Sequence, residues 1–401
     1  MNSLFPAALV LAGFLAFLTA ERRALSAARR RIPRRVAVTG TRGKSSVTRL
    51  IAAALRGDGR TVLAKTTGSK PVLIGTDGGE REIVRPGPPS ILEQKRVLRA
   101  AALARADALV VEMMGIRPEC LRAEAALILK PDVLVITNVR IDHREEMGRT
   151  RDAVAASLSA AIGPGSIVIL PAGEDHPAFH AAARSAGARI LLVPEGTPEG
   201  GPPDRSGGSI EFSENYRLAA AAAEALGVPG ERAAAGMAGA GPDFGALRIW
   251  RLAGGPGGPG GPVRYAVNAF AANEPESTRR ALDRLAAARP GLPNRRIGIL
   301  NLREDREDRT RQWLEAAGAG FFAGFAGIAV LGRQAAPVVR RLRRRGRPGQ
   351  FILEVPGADA RRIMAAVEAR AGAAAVFIGL GNIGGAGAAL IDHWDRVGEA
   401  A

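Results

Sequence analysis

The chain has 401 residues, enough for two or three domains with ample cores, and its single cysteine, Cys120, excludes an intrachain disulfide and fits a reducing compartment. Its 56 basic and 39 acidic residues leave a formal charge of +17, but all the basic residues except five lysines (44, 65, 70, 95 and 130) are arginine, a skew that reads as genome composition and permits an acidic partner without specifying one. Aromatic residues are 4% of the chain, so no stacking platform for nucleic acid is visible and none is expected as a partner.

Leu4 to Ala20 is a run of 17 residues without a charge. As a helix it would span roughly 25 Å, near the hydrocarbon thickness of a bilayer. Arg22, Arg23, Arg29, Arg30, Arg31, Arg34 and Arg35 follow it. A cleavable signal carries its positive charge before the apolar stretch, whereas here the charge comes after. The expectation is a single-pass transmembrane anchor at residues 1–21 and a basic juxtamembrane segment at 22–35, with everything beyond in the cytoplasm.

From Arg35 onward short β-rich runs alternate with Ala-rich helical runs. Strands are expected at Val36–Thr39, Thr61–Lys65, Ala108–Glu112, Asp132–Thr137, Ser166–Leu170 and Arg189–Val193. Helices are expected at Lys44–Arg56, Ile91–Ala106, Arg151–Ile162 and Pro177–Ala186, with two more at Ser213–Leu226 and Glu231–Met237. This is an α/β pattern with a mostly parallel sheet. Residues 253–262, rich in Gly and Pro, can pack as neither helix nor strand and read as a loop between two β-like runs. A second alternation begins at Val263, with later strands at Arg296–Asn301, Gly327–Leu331, Gln350–Glu354 and Ala375–Gly379. The expected organisation is a nucleotide-binding central domain at 36–252 and a smaller α/β domain at 263–401.

The first strand leads into Gly40-Thr41-Arg42-Gly43-Lys44-Ser45-Ser46. Backbone amides of such a turn, with a helix N-terminus behind them, cradle phosphate. Lys44 would set a point charge between the β- and γ-phosphates, and the Ser45 hydroxyl would face Mg²⁺. The general phosphate-loop pattern wants glycine at position 38, where this chain has Val38. Acidic and imidazole groups sit at or just after other strand ends, where open α/β sheets hold ligands. Glu112 ends one strand, Thr66 and Thr67 follow another, and Asp142-His143 follow Thr137-Asn138. Glu112 and His143 suit a second divalent cation. Near the C-terminus, Gly379-Leu380-Gly381-Asn382-Ile383-Gly384 spells a dinucleotide fingerprint. The 17 residues after Gly384 leave no room for a second strand with its ribose-binding acid, so a tight strand-to-helix turn is the expectation.

The shortened loop resembles that of the Mur ligase superfamily. An ordered series extends the resemblance: Lys65-Thr66-Thr67-Gly68, Glu93-Gln94-Lys95, Glu112-Met113-Met114, Asn138 to His143, Met147-Gly148, Asn268 to Thr278, Asn301 to Arg306 and Gly381 to Gly385. It is similar to the ATP-dependent ligase subunit of bacterial poly-γ-glutamate (capsule) synthase, nearly end to end. That resemblance implies ATP held by Lys44 and the loop Gly40–Ser46, a first Mg²⁺ on Ser45 and Thr66, and a second on Glu112 and His143. It further implies a C-terminal domain that brings Asn268, Asn273, Arg303 and Asp305 toward ATP and the acyl group. The implied reaction activates a γ-carboxylate as an acyl phosphate and adds glutamate to a growing poly-γ-glutamate chain. The implied partners are small integral membrane synthase subunits, with homo-oligomers allowed. Two departures from the Mur pattern stand out. No UDP-sugar domain is expected ahead of the loop, since only about 20 residues separate the apolar run from it, and no lysine occurs after Lys130 to be carbamylated. A Mur-like ligase for another amino acid or acidic polymer, and a membrane-tethered polyanion-binding protein with a nucleotide switch, remain alternatives at this stage.

Overall fold

The computed structural model describes residues 4–68, 70–141, 144–196, 208–252, 263–305 and 307–401. They form two compact units. One comprises residues 1–203 with 213–240, and the other 204–212 with 241–401.

The first unit is built on β1 (Arg34–Thr39), β2 (Val62–Thr66), β3 (Val72–Ile74), β4 (Glu80–Glu82), β5 (Ala108–Glu112), β6 (Val133–Ile136), β7 (Ile167–Pro171) and β8 (Arg189–Val193). They lie in the order β4-β3-β2-β5-β1-β6-β7-β8, parallel except for the β3–β4 edge. The central strands are near-continuous runs of Val, Leu, Ile and Ala because both faces are covered. Ala37, Leu109, Val111, Leu134 and Ile136 point to one layer of helices, and Val36, Val38, Val110, Val133 and Val135 to the other. The second layer is made by α2 (Lys44–Gly57) with the helices Ser213–Ala225 and Gly230–Ala238. β1 sits between β5 and β6, where the chain reverses direction across the sheet. Ligand crevices of open α/β sheets form at the carboxyl ends of strands at such a point.

The N-terminal expectation is overturned. Residues Leu4–Arg30 form one helix, α1, and among the described residues no helix is long and apolar enough to cross a membrane. The single-pass anchor, and the membrane localisation that rested on it, are therefore set aside. The apolar run is short, and the same helix continues without a break through Glu21, Arg22 and Arg23. Its second half is part of the first unit's core. Leu25 and Ala28 are buried, as is Ile32 just beyond, and Glu21 pairs with Lys95 at 2.9 Å on α3 (Glu93–Leu103).

The second unit carries β9 (Ser209–Ile210), β10 (Leu247–Leu252), β11 (Arg264–Asn268), β12 (Arg296–Asn301), β13 (Gly327–Leu331), β14 (Phe351–Val355), β15 (Ala375–Gly381) and β16 (Gly398–Ala400). The order is β14-β13-β12-β15-β11-β10-β16, with β9 paired to β10. Strands β11 to β15 run parallel, and β10 is antiparallel to β9, β11 and β16. The units divide at 240/241, so Leu247–Leu252 belongs to the second sheet, whereas the sequence expectation ended the first domain after it. Residues 253–262 lie outside the described residues, but the strands they join pair with each other. No second βαβ unit follows Gly384. The chain enters the helix Ala386–Val397 and returns as β16, antiparallel to β10.

Candidate functional site

The carboxyl end of β1 opens the turn that the sequence singled out. Gly40 has φ +122° and Gly43 has φ +79°. A Cβ on Gly40 would sit 2.2 Å from Thr137 Oγ1 and 2.9 Å from the Thr137 amide nitrogen. One on Gly43 would sit 2.5 Å from Asn215 Oδ1. Both positions thus require glycine for conformation and for space. α2 starts at Lys44 with no acidic residue in its first turn and no side-chain cap hydrogen bond. The positive end of its dipole is left for an anion.

The turn is held from the neighbouring strand. Asn138, just past β6, accepts at Oδ1 from the Thr41 hydroxyl (2.6 Å) and the Arg42 amide (2.9 Å), and its Nδ2 donates to the Arg42 carbonyl at 3.1 Å. Thr41 Oγ1 in turn accepts from the Arg140 amide at 3.1 Å. Lys44 lies over the turn, its Nζ donating to the Gly40 carbonyl at 2.8 Å. Ser46 is half-buried in the first turn of α2.

Three elements meet at Glu112, the buried last residue of β5. Its Oε2 accepts from the Ser45 hydroxyl at 2.7 Å and from the Thr67 amide at 2.7 Å. Thr66, at the end of β2, is fully buried, and its hydroxyl has no hydrogen-bond partner among the described residues. Ser45, Thr66 and Glu112 therefore lie at or just after the carboxyl ends of the neighbouring strands β1, β2 and β5. His143 lies outside the described residues, and among those described no cluster of three or more His, Cys, Asp or Glu could hold a metal ion.

Beneath Glu112 is a layer of buried polar side chains. Gln94 on α3 donates from Nε2 to the Glu112 carbonyl (3.0 Å) and to Glu124 Oε1 (2.7 Å). The Glu124 carboxylate also accepts from the Met114 amide (2.9 and 3.0 Å to its two oxygens) and the Gly115 amide (2.7 Å), fixing the chain that leaves β5. Glu124 lies on a π-helix, Ala123–Leu129, and burial pushes its pKa up despite these donors. Lys65 on β2 is fully buried and pairs with Glu93 at 2.8 Å, which Arg85 also grips at 2.7 Å. Burial draws the Lys65 pKa down. Glu93 is held below the usual carboxylate range: burial raises it, but the hydrogen bonds from Arg85 and Lys65 outweigh that.

In the second unit, Asn301 ends β12 and its Nδ2 donates to the carbonyls of Asn382 (2.6 Å) and Gly384 (2.8 Å), clamping the turn after β15. Arg303 grips Asp305 with two hydrogen bonds, 2.9 and 2.8 Å, in an exposed pair. A Cβ on Gly384 would lie 2.3 Å from the Arg303 guanidinium, so this pair borders the same turn. Asn268 is fully buried. It donates to the Phe244 (3.1 Å) and Ala246 (3.0 Å) carbonyls and accepts from the Phe270 amide, so its amide is used inside the fold. Asn273 is half-buried with φ +61°, and its carbonyl accepts from Trp313 Nε1 at 3.0 Å. Gln94, Glu124 and Asn301 carried no role in the sequence reading, and Asn138 stood in it only as a strand-end residue, not as the tie of the turn. Three of them stand inside quoted motifs, while Glu124 lies in an Ala-rich run that announces nothing.

Residues 38–200 match the Mur ligase middle domain, and residues 258–397 match the poly-gamma-glutamate synthase CapB C-terminal domain. The chain is 33% identical over 373 residues to the capsule biosynthesis protein CapB of Bacillus anthracis, covering 90% of this chain and 76% of that protein. It is 31% identical over 366 residues to PGA synthase CapB of Bacillus subtilis (strain 168), covering 90% of each. Escherichia coli FolC, solved in complex with ADP, aligns over 96% of this chain and 97% of its own with a TM-score of 0.62 at 17% identity, a likeness of fold.

Proposed function

The chain belongs to the CapB family of poly-γ-glutamate synthases, and from that premise we propose how its residues carry out ATP-dependent ligation of glutamate. The observation that carries the reading is the meeting of Ser45 and the Thr67 amide on the Glu112 carboxylate, beside a glycine turn that opens a helix. ATP binds with its phosphates on Gly40–Ser46. A terminal carboxylate of the acceptor takes the γ-phosphoryl group, ADP leaves, and an acyl phosphate remains. The amine of glutamate attacks its carbonyl carbon, orthophosphate leaves, and the amine gives up a proton as the amide forms. No nucleophilic side chain is needed.

Lys44 offsets charge on the transferring phosphoryl group, and Asn138 keeps the turn from reorganising as charge moves. The donors around Ser45 suit Mg²⁺. A hydroxyl and a carboxylate oxygen lie 2.7 Å apart, with a buried threonine hydroxyl on the adjacent strand that has no partner among the described residues, all hard oxygen ligands. Ser45, Thr66 and Glu112 would hold the ion, with His143 assigned beside Glu112 to a second. Bound there, Mg²⁺ supplies charge neutralisation at the phosphoryl oxygens. Arg303 and Asp305 are assigned to the acyl group and Asn273 to the nucleotide, on the strength of motif order, whereas Asn268, also expected there, is fully buried and spends its amide inside the fold, which makes it a support of the β11 end. Delivery of the polymer to small membrane subunits, and self-association, complete the proposal.

The test is a product assay with ATP, Mg²⁺, a short γ-glutamyl acceptor and each amino acid in turn. ADP and orthophosphate in step with glutamate incorporation are expected. AMP with pyrophosphate would overturn the acyl-phosphate route. Turnover driven only by another amino acid would keep the chemistry and overturn the substrate.

A further inference from the structure

The helix Ala335–Arg345 of the second unit has one committed face and one uncommitted one. Ala335, Val338, Val339 and Leu342 are buried in the core, which fixes the helix against β13 and β14. The opposite face and the turn after it expose Arg340, Arg341, Arg343, Arg344, Arg345 and Arg347. Among the described residues none of the six makes an ion pair. The arginine-rich composition does not account for this. Elsewhere arginines on exposed helices have acidic neighbours, as in Arg280–Glu276 and Arg311–Glu315. Here no Asp or Glu occurs between Glu315 and Glu354, although acids number 39 in 401 residues overall.

Basic residues in a last helical turn complement the dipole, but that effect fades within one turn and needs one or two charges. Arg340 to Arg345 span only about 8 Å of helix axis, within one Debye length at physiological salt, so their five charges repel one another and act jointly on any anion. The chemistry of the patch narrows the partner. No aromatic residue lies between Phe325 and Phe351 to stack a base. Leu342 is buried, so the patch offers no exposed large apolar side chain to enter a lipid surface. What remains is a flexible polyanion recognised by charge alone. Resting on the ligase reading above, the reaction makes one: a γ-linked chain keeps a free α-carboxylate on every residue.

We propose that this arginine face is a docking site for the poly-γ-glutamate chain itself, separate from the reacting end, which retains the polymer between additions.

The experiment uses the full chain and purified poly-γ-glutamate of fixed length. Binding is measured at several salt concentrations for the wild type, for Arg340→Gln/Arg343→Gln/Arg344→Gln/Arg345→Gln, and for the same four positions changed to Lys. The Gln variant should lose about tenfold in affinity at low salt, the worth of several surface ion pairs, and its salt dependence should flatten. The Lys variant should retain most of the binding. Phosphate release with a two-residue acceptor should be unchanged in the Gln variant, while its products become shorter. Should that variant fold poorly, Arg344→Gln/Arg345→Gln at the exposed helix end gives the same comparison in smaller measure. Unaltered polymer affinity in a folded variant would overturn the proposal. So would a loss confined to single-stranded DNA or to phosphatidylserine vesicles tested alongside. Absence of glutamate-dependent phosphate release in the wild type would instead sink the ligase reading, and the two failures are read separately.

Discussion

The two units place the same device at the same kind of position and equip it differently. In the first, β1 ends in a glycine turn that opens α2, and Asn138 from the neighbouring strand end ties the turn down. In the second, β15 ends in a glycine turn that opens the helix Ala386–Val397, and Asn301 from the neighbouring strand end does the same work. Only the first turn carries a lysine and a serine at the helix start and a carboxylate across from them. Only the first rests on buried charge, Lys65 with Glu93 and Glu124 nearby, where the second rests on neutral amides. A strand–glycine–helix turn is thus a way to present backbone. What it does is decided by the two or three side chains added around it.

The largest effect should come from the residue that most distinguishes the turns. Lys44→Ala should lower ADP formation by about two to three orders of magnitude while the melting temperature barely moves, because the lost contact is electrostatic and made in the transition state. A deeper fall for Arg303→Ala would invert the comparison.

Next is the charged layer. Glu93→Gln leaves the Lys65 ammonium buried with a weaker partner, and urea unfolding should show a loss of about 3–5 kcal/mol, as for broken buried pairs. A loss no larger than that for a surface pair would mean that water reaches Lys65.

The glycines give a graded test. Gly40→Ala should cost about 3 kcal/mol, combining an unfavourable φ with a backbone clash at Thr137. Gly385→Ala, with φ +66° but nothing within 4 Å of the added carbon, should cost only about 1–2 kcal/mol. Equal losses would show that conformation alone, and not closeness of approach, sets the requirement for glycine.

The smallest effect is a pH slope. Burial raises the Glu124 pKa above that of the unfolded chain, so the native state holds its proton to higher pH. Stability should therefore fall as pH climbs from the ordinary carboxylate range, near 4.3 in unfolded chains, to the raised value, and level off above it. Glu124→Gln should remove that slope from midpoints measured between pH 4 and 8.

The first turn was legible because everything that makes it is local: a β-rich run, glycines, then Lys44-Ser45 opening an apolar-periodic helix. Ser45, Thr66 and Glu112 could be placed together because each ends or follows a recognisable strand. Their support was not legible, since Asn138 reaches its turn across 96 or 97 positions and no spacing rule connects them. Strands β3 and β4 escaped because they are three residues each, and β4 is wholly exposed Glu-Arg-Glu. The N-terminal helix misled for the opposite reason. Its local apolar signal is genuine, with Leu9, Phe14 and Phe17 exposed, but hydropathy says nothing of the docking of Leu25 and Ala28 farther along the same helix.

The π-helix at Ala123–Leu129 has a consequence for chain length. A π-turn holds one residue more than the α-turn it replaces. Removing one residue there would wind the segment back toward an α-helix and rotate Glu124 about its axis by roughly 100°, away from the amides of Met114 and Gly115. A deletion that harms nothing in most helices would here unfasten the strand end that carries Glu112. The length of this segment, more than its letters, is thus what holds Glu124 in place, and a one-residue deletion there should cost more stability than a conservative substitution at the same position.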